Sequence, residues 1–214
     1  MKLISVQLAR ATWLADVNEF NPRGINLFAS FAPSLIENYK FKIFPKVEDD
    51  LTKGMKFSKG EYVNQKGESL MVELVIYSDG IVADTNASTK DCEEFLEEIA
   101  KTFPNFDLAY APEMIQRRFY LSQLFVSCSA RMNAINEKLS AFGVRLSEAV
   151  GQQSHYELSA LEFWPDQTQS FKPGSFSFQK KAGTAFSDNR YWSQAALRTD
   201  EHLSLLTELE AILS

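Results

Sequence analysis

Apolar and polar residues alternate from residue 2 to residue 15. Ile4, Val6, Leu8 and Leu14 share one parity, which predicts a long strand with those four on one face. The stretch NEFNPRG reads as a loop. Apolar spacing then predicts a helix over 25–37 with Phe28, Phe31 and Leu35 on one face. Pro33 lies inside it, where a missing N–H and a ring clash kink or shorten a helix. Strands are predicted over 41–46, 55–63 and 70–77. Asp79-Gly80 signals a tight hairpin, since both turn positions favour positive φ, and 81–85 is the returning strand. Ser88, with Asp91 three residues on, is placed to cap a helix whose buried stripe is Cys92, Phe95, Leu96, Ile99 and Phe103.

The second half replays this order. A strand over 118–128 precedes a helix over 132–149 with Met132, Ile135, Leu139, Phe142 and Leu146 on one face. Strands follow over 156–164, 175–181 and 184–187, then a turn at Ser187-Asp188-Asn189 and a return strand over 190–195. Thr199 is placed to cap a last helix carrying His202, Leu205, Leu206, Leu209 and Leu213. Phe31 and Leu35 match Phe142 and Leu146 at an offset of 111, and Cys92, Phe95 and Leu96 match His202, Leu205 and Leu206 at 110. Phe44-Pro45 matches Trp164-Pro165, and Gly54 matches Gly174, at 120, which implies an insertion near 151–155. Ordered matches at nearly constant spacing predict one compact domain made of two structural repeats, 1–105 and 106–214.

The repeated unit, strand, helix, three or four strands, helix, predicts an α+β fold with a curved antiparallel sheet and helices on one face. This element order is similar to the TATA-binding-protein-like topology, in which two such halves form a saddle. The resemblance implies a shape and not an activity. A tandem ferredoxin-like pair is the alternative.

Composition narrows the function. Apolar and charged fractions of 45% and 23% are those of a folded globular chain. A net charge of −6 opposes loose nucleic-acid binding and attraction to an anionic membrane. Two isolated cysteines, Cys92 and Cys128, form no disulfide framework or zinc cluster, so reduced thiols and a cytoplasmic location are expected. Gln7 and Arg10 interrupt any signal-peptide core, and no run approaches the roughly 18 apolar residues of a membrane span.

Catalytic signatures are absent. The sequence has no GxGxxG, GxxxxGK or GxSxG, and its two histidines, His155 and His202, have no neighbouring Cys or His with which to hold a metal. No metal or other cofactor is expected. His202 sits in the apolar series of its helix and reads as a packing residue. Glu73 and Asp84 are the carboxylates that a metal-dependent hydrolase or nuclease would use, if they converge.

The leading expectation is a non-enzymatic interaction or adaptor protein, binding a protein partner or a second copy through a sheet edge or the saddle surface. One alternative is a small-ligand sensor with a site between the repeats, lined by Trp13, Trp164, Tyr191 and Trp192. Another is nucleic-acid binding through the concave sheet face, using interleaved basic and aromatic residues. Arg10, Trp13, Arg117, Arg118, Trp164, Arg190 and Trp192 are the candidate ligand- or partner-binding residues.

Overall fold

A computed structural model describes residues 1–45, 53–151 and 154–214. The elements run β1 (Lys2–Leu14), α1 (Val17–Phe20), α2 (Leu27–Ser30), α3 (Ala32–Tyr39), β2 (Met55–Val63), β3 (Ser69–Tyr77), β4 (Gly80–Thr85) and α4 (Thr89–Thr102). After them come β5 (Arg117–Ser127), α5 (Glu137–Val150), β6 (Ala160–Phe163), β7 (Phe176–Lys180), β8 (Arg190–Ala195) and α6 (Thr199–Leu213). The fold is α+β, and the order strand, helix, three strands, helix occurs twice. The eight strands are ordered β2-β3-β4-β1-β5-β8-β7-β6 in one sheet. In a ferredoxin-like unit the second helix would precede the last strand; here each second helix follows it. Contacts divide the chain into a first unit, Leu8–Leu121, and a second unit, Met1–Gln7 with Ser122–Ser214.

In the first unit β4 pairs antiparallel with both β1 and β3, and β3 with β2. A hairpin forms here, but one residue earlier than expected: Ser78 and Asp79 make the turn, Gly80 pairs with Tyr77 as the first residue of β4, and neither Asp79 nor Gly80 takes a positive φ. In the first unit's part of β1 the buried residues have the opposite parity to Ile4, Val6, Leu8 and Leu14. Ala9, Ala11 and Trp13 are buried, while Ile4 is 48% exposed. Small side chains are needed there because α4 lies close: the Cys92 thiol donates to the Ala9 carbonyl at 3.2 Å. Ser88 Oγ accepts from the Asp91 backbone N–H and so caps α4 as expected, and Cys92, Phe95, Leu96 and Ile99 are buried under it.

The helix expected over 25–37 is split. Asn26 caps α2, Phe31 interrupts, and Pro33 opens α3, where its missing N–H leaves no bond unmade. Phe31 fills the break and is covered edge-on by Phe103 and Phe106 of the 3-10 turn Phe103–Phe106. Of the strand expected over 41–46, the described part makes only a single bridge, Ile43 to Ser58, and residue 46 lies outside the described residues. That bridge meets a bulge in β2, where the register shifts between Phe57 and Gly60 and Lys59 takes φ 58°.

In the second unit β8 pairs antiparallel with β5 and β7, and β7 with β6. Its core joins Leu124, Val126, Phe178, Tyr191, Leu206 and Leu213, with the Phe178 and Tyr191 rings stacked at 4.4 Å. The helix expected over 132–149 is a 3-10 turn, Met132–Ile135, followed by α5, because the Asn136 side chain accepts the first backbone N–H groups of α5 and restarts the helix. Residues 184–187 form no strand: a 3-10 turn over Phe186–Asp188 leads into Asn189 at φ 47°. Arg198 rather than Thr199 stands at the N-cap of α6, its backbone N–H donating to the Glu201 carboxylate. The insertion expected near 151–155 falls partly on residues 152–153, outside those described.

Equivalent strand positions differ in chemistry between the units. Ala9 pairs with Thr85 and Ser122 with Ala195, so Ala9, Ala83 and Cys92 correspond to Ser122, Ser193 and His202. The second set is wholly buried and hydrogen-bonded. Ser122 Oγ lies 2.6 Å from His202 Nδ1, His202 Nε2 lies 2.9 Å from Ser193 Oγ, and Ser193 Oγ donates to the Ser177 carbonyl at 2.9 Å. Ser193 spends its proton on Ser177 and therefore accepts from Nε2–H, which leaves Nδ1 to accept from Ser122. The imidazole is neutral and both its nitrogens are satisfied.

Candidate interaction surfaces

The predicted residues Arg10, Trp13 and Arg118 lie in the first unit, and each is engaged there. Arg10 Nε and Nη2 donate to the two Asp84 carboxylate oxygens at 2.6 and 2.7 Å, a bidentate pair that raises the Arg10 pKa. Trp13 is 1% exposed. The Arg118 guanidinium sits 5.0 Å over its ring, and Glu93 accepts from Arg118 at 3.4 Å and from the Tyr120 hydroxyl at 2.5 Å. The Trp13 indole N–H is buried without a hydrogen-bond partner among the described residues. Arg117 is exposed.

Glu73 and Asp84 do converge, as direct cross-strand partners on β3 and β4. Each faces a cation: Asp84 binds Arg10, and Glu73 lies 3.5 Å from Lys56. Among the described residues no three His, Cys, Asp or Glu side chains come together as a metal site. The ladder Arg10–Asp84–Glu73–Lys56 is balanced in charge, so this part of the sheet face offers no basic track.

Both thiols are buried. Burial pushes the pKa of Cys92 far up and raises that of Cys128, which suits neither for nucleophilic work. A small void of about 20 Å³ lies among Phe20, Leu27, Phe31, Ile81, Phe103 and Leu108 of the first unit, too small for a ligand.

Trp164, Arg190 and Trp192 lie in the second unit. On its uncovered sheet face Trp192 stands opposite Phe125 on one side and Gln179 on the other, and Gln194 opposite Gln123, with their amides bonded at 2.8 Å. Lys181 Nζ lies 4.3 Å over the Phe125 ring. Phe125, Gln179, Lys181 and Trp192 line a depression of about 420 Å³. Arg190 is exposed two residues before Trp192 on the same face. Tyr191 points the other way into the core, under Lys180, whose pKa burial lowers.

The two outer strands contrast. β2 carries Lys56 and the bulged Lys59, and with Lys40 and Lys42 it borders a groove of about 330 Å³. Lysines and a bulge are the devices that stop an edge from pairing with another chain. β6 has neither. It is four residues long and ends in Phe163, with Trp164 directly after it; the two are 62% and 68% exposed. Phe163 touches Phe176 across the strand pair at 5.9 Å, and Phe171, nearby in sequence, is also half-exposed. Neither edge was legible in the sequence, because strand order decides which strands are outermost.

No protein-family model and no curated protein matches the sequence. Among solved structures the chain is similar to the Methanococcus jannaschii TBP, at TM-score 0.44 and 14% identity, over 99% of this chain and 96% of that one. No helix among the described residues is long and apolar enough to cross a membrane.

Proposed function

We propose that this chain is a cytoplasmic, non-enzymatic interaction protein that takes a partner's polypeptide strand, or that of a second copy, along β6. One observation carries the reading: Phe163, the last residue of an outer strand without lysines or a bulge, and Trp164 directly after it both stand mostly in solvent. Strand addition satisfies the free backbone groups of such an edge, and the side chains at alternate positions supply selectivity. Exposed aromatics of this size contribute strongly to association once desolvated.

The test compares the wild type with a Phe163→Lys/Trp164→Lys variant. Both residues are exposed, so the variant is expected to keep its melting temperature. Sedimentation over a concentration series, and photo-crosslinking from position 161 in cell extract, should show association or capture by the wild type alone. A wild type that stays monomeric and captures no more than the double-lysine variant sinks the reading.

A second reading rests on the second unit's uncovered sheet face, where Trp192, Phe125 and Lys181 offer a ring to stack on and a cation beside it. Single-stranded nucleic acid uses such surfaces. Quenching of Trp192 fluorescence by oligonucleotides at low salt, lost in Trp192→Ala, tests it; no quenching removes it.

A further inference from the structure

The two repeats share a fold and differ in what their faces carry. At the first helices the second unit loses cover: Phe31 is 2% exposed, whereas its counterpart Phe142 is 63% exposed and Leu139, also on α5, 46%. On the uncovered sheet face the second unit gains chemistry. Phe125, Trp192 and Gln179 stand side by side on β5, β8 and β7, where the first unit has Thr12, Val82 and Val75 in the same register. Two residues further along, Arg190 and Lys181 oppose each other at the end of β8 and β7, the Lys181 N–H donating to the Arg190 carbonyl at 2.9 Å. The first unit has Gly80 and Tyr77 there. It builds the same ladder without the cations and without a ring between Thr12 and Val75, so the sheet itself needs neither.

Like charges directly opposite one another on a sheet repel and destabilise it. Neither Lys181 nor Arg190 forms an ion pair among the described residues. The chain as a whole carries −6, so two unpaired cations side by side are a local departure from its sign. Lys181 already lies over the Phe125 ring, which leaves the half-buried Trp192 indole as the ring open to a ligand. Two adjacent cations match a dianion better than a single charge. A phosphate monoester carries about −1.5 to −2 at neutral pH, whereas a diester inside a strand carries a single charge. From Arg190 to Trp192 is two strand positions, about 7 Å, a span that a ribose bridges between base and phosphate. Opposite Trp192 the exposed Gln179 offers an amide donor and acceptor to a ring edge. The depression of about 420 Å³ has the size of a small-molecule site.

We propose that this depression binds one nucleotide, its base stacked on Trp192 and its phosphate monoester held by Lys181 and Arg190. The site rests on the same ring platform as the nucleic-acid reading and fixes what must lie on it. It is separate from the β6 edge.

AMP is the probe. Titrated into the full chain, it should bind saturably by calorimetry, with amide shifts centred on Phe125, Lys181 and Trp192. Adenosine and inorganic phosphate, each one part of the ligand, should bind more weakly by roughly tenfold or more, and Lys181→Gln and Arg190→Gln should each weaken AMP binding by a similar factor. Trp192→Val, which installs the first unit's residue, should weaken it as well. Circular-dichroism melts verify folding, and Arg190→Gln, at an exposed position, carries the test if Trp192→Val does not fold. The Phe163→Lys/Trp164→Lys variant should bind AMP like the wild type. No saturable AMP binding, adenosine binding as tight as AMP, or equal AMP binding to the Lys181→Gln/Arg190→Gln variant overturns the proposal. Thymidine oligonucleotides with and without a terminal phosphate monoester separate the two readings. AMP binding with no tryptophan quenching by either oligonucleotide keeps this proposal and removes the strand reading; equal quenching by both, without AMP binding, does the reverse. Quenching by the phosphorylated strand alone, alongside AMP binding, supports the proposal and identifies strand ends as a source of the ligand.

Discussion

Lowering the pH should destabilise this protein through one residue, His202. Its ring is wholly buried between Ser122 and Ser193, and burial alone drives its pKa from 6.5 to about 4. Protonation would put a donor on Nδ1, where the Ser122 hydroxyl must then turn its own proton away, and would leave a charge without a counter-ion. The folded pKa is the lower one, so the unfolded chain takes up the proton first as the pH falls. Stability is therefore full above about pH 6.5, declines from there to about pH 4, and has lost the whole contribution below that. A difference of this size corresponds to about 3 kcal/mol at 1.36 kcal/mol per pH unit. That is a large share of the roughly 5–15 kcal/mol that holds a typical domain. The assay is urea unfolding of wild type and His202→Gln at intervals between pH 7.5 and 4. Carboxylates titrate alike in both proteins, so the difference between the two stability curves isolates the imidazole. The wild type should lose about 3 kcal/mol more than the variant across the window. Parallel curves, or a folded-state ring resonance that titrates near 6.5, would refute the reasoning.

Other consequences concern the two units' differing chemistry. Phe31→Ala should cost about 3–5 kcal/mol by emptying a ring-lined core, while Phe142→Ala should stay within about 0.5 kcal/mol of wild type in the same denaturation assay. Gly143→Ala should destabilise by about 1–3 kcal/mol, since the added Cβ meets the Tyr156 carbonyl at 2.7 Å and pushes α5 off its seat; amide exchange should rise in α5 and around residue 156. A double-mutant cycle on Arg10 and Asp84 should give a coupling of about 1 kcal/mol, reduced by salt because Arg10 is 41% exposed, whereas the equivalent cycle on Gln123 and Gln194 should be insensitive to salt.

The structure departs from the sequence-based expectations where a neighbour from elsewhere in the chain decides. Alternation in β1 is real, but Ala9 and Ala11 are inside rather than Ile4 and Leu8, because α4 approaches too closely for larger side chains. The stripe on α5 has the spacing of a buried face, yet periodicity reports only which residues share a side of the helix, not whether anything lies against them. Of the seven candidate binding residues, Arg10 and Arg118 meet carboxylates and Trp13 is interior, contacts set by strand register and helix packing. His202 was legible as a packing residue, but its serine partners were not, since Ser122 lies 80 residues away in the chain.

Local chemistry settled a good deal in advance. A turn was due close to Asp79-Gly80, Pro33 was bound to break into the helix around it, Ser88 was placed to cap, and the ordered recurrence of apolar spacings, as in Phe31 and Leu35 with Phe142 and Leu146, set the doubled order of elements. Those outcomes depend on a few bonded neighbours and their dihedral preferences, so they are written in short stretches of chain. The outer position of β6, the engagement of Arg10 and Arg118 by carboxylates, the enclosure of His202 and the bare face of α5 depend on which distant segments come together. Burial and pairing are properties of those encounters, and only the assembled fold determines them.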